Sequence, residues 1–569
     1  MPPISSGWLR PGSLTSDPFM EKRTVLALAL VALVIILTPK LFPGNRALLP
    51  VVTADSSTTQ LPTGLVKDTP SIAPATAVTK ALEKPLTTAI STEEKLVLGD
   101  SVARFGFSNI GAVLEQVSLA GFRDLSKKNG STLELSAGLT PVLSYRLVTS
   151  KDTISLSDIA FAVTREDDRT VSYHAVVREA QIVIRYSTSP DSFLTRVSGT
   201  ISRSDSLGEQ RFLLIDLPET LRSFEADTVD DQKHLAFAYS SKTDGAKSLP
   251  FGSLDPGERE LVSGPLLWVV AKSKYFLVGL LSDEADPTFA EFSAIGGAKT
   301  SSTVTHARGT VVNRLTDGGF KFEVYAGPQQ WRRLSALGRE FQNSNPYGGF
   351  LQPVVQPFAT IVMKILLWMR ENLKISYGWV LIIFGIAVRL ILWPLNQKGM
   401  RASMKMQRIQ PELNEVQKRY KSDPPKMQSE MMRVYKEHNM SPFSTFAGCL
   451  PLFLPLPVLF ALFYVFGNTI EFRGVPFLWF PDLSQKDPFY IVPLTMGISM
   501  FALSLISMRN TPPNPQTKAM TYIFPVMMTV LFANFAAGLN MYYTIQNLAA
   551  LPQQWLIANE RAKSAIAKT

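Results

Sequence analysis

Arg389 interrupts the stretch Gly378–Trp393, which otherwise carries no charge. A guanidinium inside a run of that character costs ~2.5–3.5 kcal/mol on insertion scales, so it needs a reason to be there. One resolution is escape: Trp393-Pro394 follow within four residues, and the long stem can snorkel to the surface. The other is polar company, and no carboxylate is on offer. The segments 441–470, 488–508 and 519–559 contain no Asp or Glu at all. An unpaired arginine then suits a water-filled cavity, and such a cavity is a site for a negatively charged guest. Around the last hydrophobic hairpin, Asn534, Asn540, Tyr542, Tyr543, Thr544, Gln546 and Asn547 either line that cavity or hydrogen-bond helix to helix. Arg389, Tyr542, Tyr543, Asn534, Gln546 and Asn547 form the candidate groove.

Two apolar sets could hold a greasy guest. Leu452–Phe463 is broken by Pro455 and Pro457 and follows Pro451; its Leu456, Pro457, Leu459 and Phe460 would slide an apolar segment toward lipid. The segment 396–440 carries Met404, Met406, Met431 and Met432 on two helices broken at Asp423-Pro424-Pro425. Adaptable Met-rich faces suit promiscuous capture, whereas a solvated basic hairpin near anionic headgroups is the plainer use of the same residues. A lone Cys449 and four scattered His exclude a disulfide framework and a zinc-type set; no cofactor or metal is expected.

The elements that must position these groups follow from the gaps in charge. The chain has 569 residues, 57 Lys+Arg and 47 Asp+Glu. Thirteen consecutive apolar residues, Val25–Leu37, follow Glu21-Lys22-Arg23 and mark an anchor over 24–42, with 1–23 before it. A cleaved signal peptide is the rival reading of this run. Five more spans are expected at 375–395, 441–467, 489–508, 519–537 and 539–557, with Gly538-Leu539-Asn540 as the last turn. Loop charge sets the orientation. The segment 396–440 holds ten Lys/Arg against five Asp/Glu and belongs inside; 468–488 is poor in both and belongs outside. The short 509–518 loop and the 558–569 tail also fall inside. Helical spacing of Phe358, Ile361, Val362, Ile365 and Met369 makes 350–374 an amphipathic helix, which either lies in the outer interface or packs on the external domain.

Outside, 43–93 reads as a flexible Pro/Thr/Ser/Ala linker. Residues 94–345 show short alternating runs, such as Gln181–Tyr186, Arg211–Leu217 and Lys321–Tyr325, which argue for a large antiparallel β-sandwich. Asp244–Ser248 and Gly296–Thr300 only echo a phosphate loop, since neither has the adjacent Gly-Lys. The fold class is therefore a multi-domain membrane protein, a helical bundle with an external β-domain. A secondary transporter would show paired ionisable groups and internal repeats; a structural or sugar-binding envelope protein would place its function in the β-domain.

The order of parts resembles the YidC/Oxa/Alb membrane protein insertase family, and its Gram-negative branch in particular. Val388-Arg389 with Trp393-Pro394-Leu395, Gln410-Pro411-Glu412, Met431-Met432, Tyr435-Lys436, Gly448-Cys449 with Pro451-Leu452, and Gly538-Leu539 with Tyr542-Tyr543 and Asn547-Leu548 carry the likeness. The resemblance implies an insertase and chaperone, not an enzyme, in the bacterial inner membrane, with both termini cytoplasmic and a periplasmic β-supersandwich. It implies nascent membrane proteins, the Sec translocon, the ribosome and lipids as partners, and no DNA. It gives Arg389 the role of groove arginine, and Tyr542 and Tyr543 that of substrate-contacting tyrosines. Gly385 and Pro455 stand where relatives often carry polar residues, which leaves the partner of Arg389 open.

Overall fold

Alternation at period two, bounded by turns, becomes eighteen strands among the described residues. The computed structural model describes residues 92–127, 130–135, 140–298, 304–348, 351–438, 456–508 and 515–566. The expected anchor and most of the linker lie outside them. In the strand Ala180–Thr188, Ala180, Ile182, Ile184, Tyr186 and Thr188 are buried while Gln181 and Arg185 face solvent. That is what a sheet with one face on a core requires. All ladders between the named strands are antiparallel, in one four-stranded and one fourteen-stranded sheet. Both sheets contribute to a single core that includes Phe105, Phe107, Tyr145 and Trp268. The strand Arg259–Lys272 pairs first with Phe289–Gly296 and then, past an irregularity between Ser263 and Leu266, with Phe276–Leu281. Such a bulge lets one strand serve two neighbourhoods. Gly245–Pro250 is a strand and Gly296 ends one.

Seven longer helices follow among the described residues: α1 Gln352–Leu373, α2 Tyr377–Arg419, α3 Pro424–Glu437, α4 Leu456–Asn468, α5 Ile491–Met508, α6 Pro515–Phe532 and α7 Ala537–Ile566. α7 is the hub, packing on α5, α2 and α4, while α6 leans on α5. Among the described residues, three helical segments are long and apolar enough to cross a membrane, Gln352–Leu373, Tyr377–Lys398 and Ile491–Met508. The first is nevertheless held by the β-domain at both ends. Near its start, the Gln352 amide donates to the Ala246 carbonyl at 3.0 Å; near its end, Glu371 accepts two bonds from Arg332. Side-chain bonds thus tie both ends of this helix of ~33 Å to the β-domain. Its outward stripe is Val354, Phe358, Ile361, Ile365 and Trp368. Val362 and Met369, placed on that stripe from spacing, are instead buried, because the opposite face packs on α4.

Two boundaries differ from expectation. The span expected at 375–395 and the first helix of the 396–440 segment are not separate: α2 runs unbroken for 43 residues, ~65 Å, past Pro394 and Pro411. Pro424 and Pro425 are not a mere break. They open α3, where Asp423 caps the Lys426 amide at 3.2 Å and prolines need donate nothing. The last turn is at Ala533–Ala536, not at Gly538. Gly538 serves close approach, since a β-carbon there would sit 3.3 Å from Leu381 and from the Leu483 carbonyl. The orphan amides opening α7 are taken by the preceding loop, Ala537 N–H to Gln485 O at 2.6 Å and Gly538 N–H to Leu483 O at 3.0 Å.

The loop between α4 and α5 docks the β-domain onto the bundle. Arg473, almost fully buried, donates to Glu225 at 2.7 Å and to the Arg123 carbonyl at 2.9 Å, and lies over the Phe276 ring. Glu471 accepts from the Trp331 amide at 3.0 Å, but its second oxygen is buried without a partner. Burial therefore pushes the Glu471 carboxyl up to about 7. An acid whose folded value lies above its unfolded one contributes stability that is complete below about 4.5 and is lost as pH rises through about 7. Glu471→Gln should accordingly raise the melting temperature of the full chain above neutrality and leave it little changed near pH 5. Thermal scans of both proteins across pH 5–8.5 measure this; an unchanged difference over that range would refute it.

Candidate functional site

α2 and α7 both start at the β-domain end and run the same way, and their contact places the arginine. Tyr542, Gln546 and Gln553 recur at four and seven residues, so they share the face of α7 that meets α2. Tyr542 is buried with its ring 6.0 Å from Phe384. The Gln546 amide donates to the Gly385 carbonyl at 2.6 Å. Gly385 permits that approach, because a β-carbon there would already lie 3.2 Å from Ile545. About one turn further along α2, Arg389 donates to the Gln553 side-chain oxygen at 2.8 Å, while the Gln553 amide donates to the Trp393 carbonyl at 3.0 Å.

Gln553 is only 1% exposed, and it answers the question that Gly385 and Pro455 left open. It was missed from the sequence. The available signal was its spacing, seven residues beyond Gln546 and hence on the same face. Arg389 itself is half-buried, with one nitrogen held by Gln553 and its Nε buried without a partner. A cation held on one edge and unsatisfied on another can still accept an anionic or polar guest.

Of the remaining groove residues only Tyr543 touches this cluster, its ring edge-on to Tyr542 at 5.6 Å. Tyr543 faces α6, with its ring edge-on to Phe532 at 5.2 Å and its hydroxyl buried and unpartnered. Asn547 turns to α5, donating to the Met496 carbonyl at 3.4 Å and to the Ser499 hydroxyl at 3.2 Å. It ties helix to helix, the plainer of its two expected uses. Asn540 does likewise, donating to the carbonyls of Phe532 and Phe535 at the end of α6. Asn534 is exposed in the α6–α7 turn, where it lines a cleft of about 710 Å³ with Asp230, Lys274 and Lys486 at the β-domain end. Its position beyond the helix end, not along it, removes it from the neighbourhood of Arg389.

On α4, Leu459 and Phe460 are half-buried, with Phe460 packed on the helical core. Phe463, not singled out from sequence, is more open at 38% and stacks edge-on with Phe535 at 5.2 Å. The side chains of Leu456 and Pro457, and of Met404 and Met406, lie outside the described residues. The other two hairpin methionines divide. Met431 packs on the hairpin's own core of Ile409, Leu413, Val434 and Tyr435, whereas Met432 is 39% exposed. Adjacent positions on a helix point about 100° apart, so only one of the pair can face out.

Comparison with known proteins bears on all of these parts. The family model described as 60Kd inner membrane protein matches residues 368–564, and that described as YidC periplasmic domain matches 98–361. The membrane protein insertase YidC of Prosthecochloris aestuarii is 28% identical over 566 residues, covering 95% of this chain and 94% of that one. The insertase of the same name from Chlorobium phaeovibrioides is 30% identical over 419 residues, 70% of each chain. Among solved structures, an active YidC insertase crystal structure with its first transmembrane domain resolved aligns over 82% of this chain and 93% of its own, at 18% identity and a TM-score of 0.33. On the sequence matches, which run through both the β-domain and the helical half, the chain belongs to the YidC family of membrane protein insertases.

Proposed function

We propose that this chain inserts membrane proteins by lowering the cost of moving their polar flanks past the bundle. The observation that carries the proposal is Arg389, held on one edge by Gln553 and unsatisfied at Nε, among apolar segments without a carboxylate. A client's apolar segment is captured at the basic hairpin, where Met432 lies open. Its short flank then enters near Arg389. Coulomb attraction to an acidic flank at contact is on the order of 4 kcal/mol at an effective dielectric of ~20. The attraction offsets part of the flank's desolvation. Burial of some twenty apolar residues in lipid supplies the rest, with Phe460 and Phe463 as the adjoining apolar surface. No nucleotide is needed for such partitioning.

In this reading the chain sits in the bacterial inner membrane with six spans, the β-domain outside and the basic 396–440 hairpin inside. It works alone or beside the Sec translocon, folds its clients as a chaperone, and meets the ribosome through the basic hairpin and tail. The buried seam at Arg473 and Glu225 bears on the β-domain's role. Deleting most of 55–325 would strip these groups of their partners, so insertion by a truncated chain has to be read alongside its stability.

Arg389→Lys should keep most activity, since a point charge still attracts an acidic flank. Arg389→Ala should lose roughly tenfold for clients whose translocated flank carries Asp or Glu, and little for neutral ones, as a loss of ~1.4 kcal/mol gives. Equal insertion of both client sets by the Ala variant would refute the groove. Gln553→Glu should mimic that defect in a folded protein, because a fixed carboxylate neutralises the arginine from within. Gln553→Leu should impair acidic clients less. An acidic-client deficit in the Leu variant as large as that of Arg389→Ala, with Gln553→Glu normal, would contradict this assignment. Photocrosslinkers at Met432 should reach nascent chains before those at Tyr542, and before those at the packed Met431. The reverse order would count against capture by the hairpin.

A further inference from the structure

A second groove lies between α2 and α5. Both helices pack on α7 yet scarcely touch each other, and the gap between them holds a cavity of about 390 Å³. It runs along α7 from Met541 to Leu551, which is ~15 Å of helix. A slot of this length and volume admits one extended hydrocarbon chain.

The lining chemistry agrees. The groove's hydroxyls are already spent on their own helices: Thr495 donates to the Ile491 carbonyl at 2.8 Å, Ser499 to Met496 at 2.8 Å and Thr544 to Asn540 at 2.9 Å. None is left to offer a donor to a peptide or to water, and the remaining lining is hydrocarbon or thioether save at the mouth. Ile498 and Leu548, at 68% and 48% exposed, leave the groove open at the side. At its β-domain end the tight turn Phe477–Phe480 closes over it. Leu478 sits at the tip with φ 52°, a conformation L-residues rarely adopt, and remains 68% exposed. Beside it, the Trp479 indole is fixed by a 3.1 Å bond to Asp487. An apolar slot with an indole at its mouth matches an amphiphile whose head lies at the interface and whose chain points into the bilayer.

We propose that this groove is a binding site for one acyl chain of a phospholipid from the leaflet on the β-domain side. The assignment is separate from the insertion mechanism, since it uses neither Arg389 nor the hairpin. It is tested on the full chain in nanodiscs of phosphatidylethanolamine and phosphatidylglycerol, doped with a phospholipid bearing a diazirine midway along one chain. After irradiation, adducts should concentrate severalfold on Ile498–Ala502 and Thr544–Leu551 relative to Val526 and Val530, which are exposed on α6. Ala502→Trp, which fills the slot, should abolish the groove adducts and leave those on α6 unchanged. Should that variant fail to fold, Ile498→Trp at the open side serves the same purpose. Equal labelling of groove and α6, or groove labelling that survives the tryptophan, would each overturn the proposal.

Discussion

A single guanidinium placed among apolar helical segments that hold no carboxylate constrains the whole helical half. Charge cannot be answered by charge there, so it must be answered by neutral dipoles, and these have to come from a neighbouring helix at hydrogen-bond distance. Gln553 does this with both ends of its amide, accepting from Arg389 and donating to Trp393 on the same helix. Because a primary amide neutralises nothing, the positive charge remains available. A buried Asp in the same place would have been easier to insert as a pair but would have left a closed site.

That requirement fixes the orientation of α7, and the rest follows from it. With Tyr542, Gln546 and Gln553 committed to α2, the intervening residues must serve other neighbours. Tyr543 meets α6 and Asn547 meets α5. α2 and α5 are thereby held on different sides of α7, which opens the apolar slot between them. Gly385 and Gly538 make the close contacts possible, one under Ile545 and the other against Leu381. The β-domain is coupled to the same frame through the loop between α4 and α5. Its carbonyls at Leu483 and Gln485 cap α7, while Arg473 and Glu471 reach into the sandwich. Movement of the β-domain would therefore be felt at the start of α7.

Much of this was legible in the sequence for physical reasons. A charge is expensive in lipid, so charge-free stretches mark helices, and Arg389 stands out as the exception. Side chains alternate along a strand, so Gln181–Tyr186 declares its own conformation. Aspartate before two prolines opens a helix, so α3 begins near where the break was placed. Each of these is a local consequence of backbone geometry or of solvation, and needs no knowledge of what lies across the fold.

What only the tertiary structure decided is which neighbour each face meets. Gln553 is 164 residues from Arg389, and spacing on α7 could show that it shares a face with Gln546 but not that α2 covers that face. Asn534 looked like a groove residue because it is near Tyr542 in the chain, yet a turn carries it past the helix end to the β-domain cleft. Val362 and Met369 fit the apolar period of α1 as well as Phe358 does, and only packing against α4 buries them. Periodicity defines faces, whereas close packing among distant elements assigns their partners, and that assignment is a property of the assembled volume rather than of any segment within it.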